Sequence, residues 1–360
     1  METTNALALD YLRSLRIRLD RGDRRILIDY PLQFTKGTLQ QTQCELFVDQ
    51  PLRDRVANWT EQLGGFASFI SRYQDFDPRM VDQSWPAHFP VHVLSAKGQI
   101  VEGRNIFMFF PEVLGLSTGQ HNDYFGLELI DIWDAVFDQV ITPCVQRMFD
   151  AQTQFDYFES FCTQRRELIY LASVFHEIGH RVGPWKVSPC KDENIHLSKM
   201  QVDIMGELST DTYLVKFLPE FPELASFVLY QRLFWFGRMH YEQDSVHGAL
   251  NTDNDAWIGA YLWQIAERVG CLSHDSTSGL WRIARDRIAS IFDVVFDELQ
   301  AIGAQLLNEP DQIDALQRWI DERVPKDEAG QFIYPDSMAQ ALRRCADVPT
   351  RVRINQPIKV

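Results

Sequence analysis

The stretch that most constrains this chain is Ser173-Val174-Phe175-His176-Glu177-Ile178-Gly179-His180. From Arg165 to Ile178 the apolar side chains fall at Leu168, Ile169, Leu171, Ala172, Phe175 and Ile178, a spacing that predicts a largely buried helix. His176 and His180 are four residues apart and share one face, so both imidazoles can reach a single ion. Glu177 is turned about 100° from His176. It therefore stands beside such an ion, where a carboxylate can take a proton from water. Gly183 and Pro184 supply the stop. Two imidazoles and a carboxylate within one turn of an apolar helix are costly to bury without a partner, and a metal ion is one.

A tetrahedral catalytic zinc needs a third protein ligand and one open position. In the metzincin pattern a third His follows the second by six residues; here Lys186 stands at that place, and lysine is a poor zinc ligand. The better candidate lies on a second expected helix, about Leu197 to Phe217, which ends before Pro219. Asp203, Glu207 and Asp211 fall one turn apart on one face of it, an arrangement that like-charge repulsion disfavours unless a cation is near. Glu207 is assigned as the third ligand. Asp203 and Asp211 are assigned to the surrounding acids, with Asp211 accepting from the free N–H of a ligating His. The expected cofactor is one Zn2+ ion, although iron, manganese or cobalt can fill similar ligands.

Gly206-Glu207-Leu208-Ser209-Thr210-Asp211 resembles the Glu-x-x-Ser/Thr-Asp signature of the gluzincins, the thermolysin-like metallopeptidases. The resemblance covers about Arg165 to Asp211, with Gly206 in place of the usual Asn and a longer insert between the motifs. It implies that His176, His180 and Glu207 bind zinc, that Glu177 is the general base, and that Asp211 orients His176. It also implies a zincin-like α+β fold, predominantly helical, with a small antiparallel sheet ahead of the metal helix. Gluzincins steady the oxyanion with a downstream His or Tyr, which makes His247 and Tyr241 the candidates here. The implied activity is hydrolysis of a peptide or amide bond. The alternative is a metal-dependent non-peptidase enzyme of small-molecule metabolism, a hydratase, lyase or isomerase on the same scaffold.

Net charge is −15, which argues against nucleic acid or an anionic membrane as partner and leaves a peptide or small molecule as substrate. Met1 to Asn5 show no basic-then-apolar leader, and no apolar run approaches a membrane span. The six cysteines are scattered without a Cys-x-x-Cys pair, so a cytoplasmic protein with reduced thiols is expected, Cys190 included.

Residues 1–150 are expected to form an N-terminal α/β part and residues 151–360 a helical metal-binding part, with no composition break that fixes the boundary. Strands are expected at Arg25–Asp29 and Glu45–Val48 and a helix from Pro51 to Tyr73. Val91–Leu94 and Asn105–Phe110 flank turn-forming residues and predict an antiparallel hairpin or small sheet. His88 and His92 beside it are given structural roles. A polar loop is expected at Gly119–Gly126, then a helix from Leu127 to Asp150. Between the ligand helices, the Gly- and Pro-rich crossing makes Trp185 and Lys186 candidate substrate contacts. A core helix is expected from Leu224 to Tyr241. Asp253 to Asp255 then cap a helix from Ala256 to Val269 or form an acidic pocket for a substrate amine. Helices close the chain at Leu280–Leu307 and Gln312–Arg323.

Overall fold

A computed structural model of the protein describes residues 13–30, 42–78, 87–97, 108–109, 125–161, 163–185, 197–239, 254–303, 310–350 and 352. Helices dominate, with a small sheet in the first half of the chain. After a helical stretch over residues 13–20 come β1 (Arg25–Tyr30) and β2 (Thr42–Val48), then helices α1 (Gln50–Gln62) and α2 (Phe66–Phe76). The single helix expected over this last stretch is broken at Gly64 and Gly65, whose φ of 103° and 81° belong to the left-handed region that glycine tolerates. β3 (Ala87–Lys97), β4 (Met108–Phe109) and β5 (Phe125–Leu129) complete a five-stranded sheet in the order β1-β2-β3-β5-β4.

That order bears out a small sheet but not a hairpin of β3 with β4. β3 and β4 are separated by β5, which runs parallel to β3 and antiparallel to β4. All five residues of β5 are buried, so its apolar run lacks the alternation of a half-exposed strand and reads locally as the start of a helix. The sheet is therefore mixed rather than wholly antiparallel.

The chain turns directly from β5 into α3 (Ile130–Val136), a π-helical segment Phe137–Ile141, and α4 (Thr142–Met148). Pro143 lies in the first turn of α4 and has no N–H to give. The wider π turn, with the Thr142 amide donating to the Phe137 carbonyl, carries the rod past it. α5 (Ala151–Phe161) and α6 (Arg165–Gly179) follow, then α7 (Lys199–Phe217) with a reciprocal Ser198/Gln201 cap at its start.

Next are α8 (Glu223–Gln231), a second π segment Arg232–Phe236, the short α9 (Gly237–Met239) and α10 (Asn254–Arg268). The expected helix at Leu280 begins instead with a hairpin of β6 (Leu272–Asp275) and β7 (Leu280–Ile283). Helix α11 (Ile288–Ile302), α12 (Pro310–Arg323) and α13 (Asp336–Arg343) complete the described elements.

α6 is the axis of the packing. It contacts α1, α3, α7 and α8, while α1 and α3 also rest on β3. Phe175 anchors it, with ring centroids 5.1 Å from Phe66, 5.9 Å from Phe69 and 6.0 Å from Tyr73. The sheet side is pinned by His92 on β3. Its Nδ1 lies 2.8 Å from Asp131 in the first turn of α3, and its Nε2 lies 3.0 Å from Asp49, the N-cap of α1. The C-terminal helices close the other side: Trp257 of α10 packs on Trp319 of α12, and Trp263 on Trp281 of β7. Among the described residues no helix is long and apolar enough to cross a membrane.

Candidate metal centre

α6 and α7 meet where each presents chemistry. Gly179 makes the close approach possible: a Cβ there would lie 2.9 Å from Thr210 Cγ2 and 3.1 Å from Thr210 Cα. Across this contact His176, His180 and Glu207 each offer a ligand atom, all within 4.8 Å of one another. His176 Nε2 is 3.4 Å from Glu207 Oε2, and His180 Nε2 is 3.5 Å from Glu207 Oε1. Two ligand atoms about 2.0–2.1 Å from one tetrahedral ion lie roughly 3.3–3.4 Å apart, so these separations fit a shared ion better than a direct hydrogen bond.

The other nitrogen of each ring is already held. His176 Nδ1 is 3.1 Å from Asp211 Oδ1, and His180 Nδ1 is 3.2 Å from Thr210 Oγ1. Both imidazoles thereby aim Nε2 at the common point, the arrangement that fixes the tautomer of a metal-ligating His.

Behind the acids lies Arg232, with a side chain 3% exposed. Its Nε donates to Asp211 Oδ2 at 2.5 Å, its Nη2 to Glu207 Oε2 at 2.8 Å and its Nη1 to Asp255 Oδ1 at 2.5 Å. Three carboxylates thus face one guanidinium, an excess of two negative charges that a divalent ion would balance. The protonation preferences express the same excess. Burial pulls the His176 pKa down, but Asp211 and Glu207 more than reverse this and raise it to about 10. Burial opposes ionisation of Glu207, yet His176, His180 and Arg232 hold it well below the ordinary carboxylate range. Burial lowers His180, which favours the neutral ring that coordinates metal. The donor set, the fixed ring orientations and the charge balance all fit a divalent ion.

Glu177 is half-buried and lines a cavity of about 280 Å³ that also reaches His176 and Glu207. The cavity lining also includes the apolar side chains of Trp133, Ala172, Phe227 and Phe236. Glu128 on β5 is fully buried nearby and accepts from the Trp133 indole N–H at 2.6 Å. Burial raises its pKa to about 8, so it is mostly protonated at neutral pH.

The structure thus brings together His176, Glu177, His180, Glu207 and Asp211. It places Asp203 elsewhere: that carboxylate pairs with Lys199 on the outer side of α7. Trp185 is buried with its indole N–H toward the Leu299 carbonyl at 3.4 Å, away from the cavity lining. Lys186, Cys190, Tyr241, His247 and Asp253 lie outside the described residues. Asp255 sits in the first turn of α10, but its carboxylate faces Arg232.

Sequence reasoning passed over Arg232, Thr210 and Glu128. A signal existed for the first, a lone arginine inside the apolar run Leu224–Phe236. Thr210 occupies the Ser/Thr place of the second motif, though its spacing alone assigns it no partner.

No protein-family model matches the chain, and no curated protein matches it. Its fold is similar to solved structures. One is the structure of DPP III from Caldithrix abyssi, at 14% sequence identity and a TM-score of 0.61, covering 95% of this chain and 63% of that one. Another is dipeptidyl-peptidase III from Corallococcus sp. strain EGB, at 12% identity and a TM-score of 0.55, covering 91% of this chain and 58% of that one. The chain spans about three fifths of the length of these two structures. At such identities the likeness establishes the fold, α+β and mostly helical with a small sheet.

Proposed function

We propose that the protein is a zinc-dependent hydrolase that cleaves a peptide or related amide bond. The observation that carries this reading is the convergence of His176 Nε2, His180 Nε2 and Glu207 on one point, with Glu177 beside it on the wall of a cavity. The fold likeness to two dipeptidyl-peptidase III structures supports a peptide as substrate, and the gluzincin resemblance of the two motifs supports the same chemistry.

When bound, the ion supplies Lewis-acid polarisation of the substrate carbonyl and of the attacking water. The chain's own residues do the rest. Asp211 and Thr210 hold the two imidazoles in orientation. Glu177 takes a proton as water adds to the carbonyl carbon, and returns it to the amine nitrogen as the C–N bond breaks. His247 and Tyr241 are proposed to donate to the oxyanion of the tetrahedral intermediate.

Replacing Glu177 with Gln in the full chain tests the assignment. Peptide hydrolysis, followed by mass spectrometry on a mixed peptide library, should fall by about 10²- to 10⁴-fold, with one zinc per chain retained. Undiminished cleavage by Glu177→Gln would remove the base assignment. Turnover of small metabolites with no cleavage of any peptide would replace the peptidase reading.

A further inference from the structure

Arg232 divides its charge among three acceptors that come from different places. Glu207 and Asp211 lie on α7, whereas Asp255 arrives from the start of α10. The guanidinium also lies over the Phe236 ring, 4.9 Å from its centroid. Of the three bonds, that to Glu207 is the longest, at 2.8 Å against 2.5 Å for the other two.

A second observation concerns the backbone that brings Asp255 there. Arg232 opens the π segment Arg232–Phe236, and the chain then crosses α10 through a pair of glycines. A Cβ on Gly259 would lie 3.0 Å from Gly237 Cα and 3.1 Å from the Arg232 carbonyl oxygen. One on Gly237 would lie 3.1 Å from Gly259 Cα and 3.5 Å from the Asp255 carbonyl oxygen. The two segments therefore approach closely beside the Arg232–Asp255 pair, so the seating of α10 bears directly on whether Asp255 reaches the guanidinium.

We propose that Asp255 is a positioning residue for the metal centre: it draws Arg232 off Glu207 and thereby couples the docking of α10 to metal affinity. The inference rests on the metal reading given under Proposed function. Two effects of losing the Asp255 charge act in the same direction. Arg232 turns more fully onto Glu207 and competes with the cation for its oxygen. The site also loses one of the negative charges that favour a dication. The coupling is reciprocal: a cation that takes the Glu207 oxygens leaves Arg232 leaning harder on Asp255, which holds the first turn of α10 in place.

The test measures Zn2+ affinity on the full chain after metal stripping, by competition with a chromogenic chelator. Asp255→Asn should weaken the Zn2+ Kd by about tenfold or more, and Asp255→Glu, which keeps the charge, should recover most of that loss. Tyr261→Phe supplies the comparison on the same helix. It removes the Tyr261 hydrogen bond to Glu298 Oε2 at 2.9 Å, so it should lower Tm and leave the Zn2+ Kd unchanged.

Hydrogen exchange on the wild-type chain needs no substitution, and added Zn2+ should slow exchange across residues 255–259. An Asp255→Asn affinity equal to wild type, an equal loss in Tyr261→Phe, or exchange at 255–259 indifferent to Zn2+ would each overturn the coupling. Tight Zn2+ binding by the wild type in those cases leaves the proposed function standing. No Zn2+ binding by the wild type at all would take down both.

Discussion

His92 at the sheet and His176 at the helix crossing each face two carboxylates, and the two arrangements differ in how the second nitrogen is used. His92 spends both ring nitrogens on short contacts, 2.8 Å to Asp131 and 3.0 Å to Asp49. Asp131 accepts from the Val93 amide as well, and Asp49 from the Leu52 amide, so the acids are themselves fixed. His176 makes one such contact, to Asp211. Its other nitrogen faces Glu207 across 3.4 Å, with a second imidazole centred 4.7 Å away. A histidine closed on both sides ties elements together. One closed on a single side, with matching donors across a gap, is built for a ligand. What separates them is the distance left over, since both sit among acids.

The sharpest way to break this comparison is to offer the ion. Zn2+ at about a hundred times its Kd should stabilise the full chain by about 2.7 kcal/mol and raise Tm by several degrees. That rise should vanish in His180→Ala and survive in His92→Gln, as read by thermal melts with and without metal. Equal loss in both variants would erase the distinction.

Next in size is Asp211→Asn, which keeps the shape but weakens the acceptor on His176 Nδ1. Zn2+ affinity should fall by about 10- to 100-fold in a chelator competition.

The closed histidine has its own signature. Hydrogen bonds to Asp131 and Asp49 raise the His92 pKa to about 9, against an ordinary value of 6.5. Its contribution is therefore complete below pH ~6.5 and is lost as pH rises through ~9, on the order of 2 kcal/mol after allowance for partial solvent screening. Urea melts across that window should show the decline in wild type and a shallower one in His92→Gln. The smallest effect expected is that of Thr210→Val. Removing a single neutral hydrogen bond to His180 Nδ1 should weaken Zn2+ binding by about two- to tenfold.

The parts of this molecule that could be read in the sequence are those whose cause is local. The spacing of His176, Glu177 and His180 on an apolar helix fixes their shared end of α6, and Glu207 and Asp211 are placed by the same one-turn rule on α7. The end of α7 ahead of Pro219 follows from a residue within a turn of the boundary, whereas α6 stops at Gly179, ahead of the stop expected from Gly183 and Pro184. What escaped is non-local. β5 separates β3 from β4, and nothing within Phe125–Leu129 announces which strands flank it. Trp281 and Ile283 alternate over too few residues for β7 to show a period. Arg232 was hidden because its partners lie 21, 23 and 25 residues away, beyond any periodic pattern. The row of acids on α7 does point to nearby positive charge, and one source of it is that arginine. Asp203 belongs to a different account, since its row position is satisfied by Lys199 one turn earlier.

The widened turn at Arg232–Phe236 also sets a phase for everything after it. Excising one residue there would let the rod rewind to ordinary pitch with the turns on either side kept in phase. The same excision within α8, ahead of Arg232, would turn the guanidinium by about 100° away from its acids. A one-codon deletion that an exposed connection would absorb could thus dismantle the electrostatic floor of a centre whose candidate ligands all lie upstream and remain unaltered.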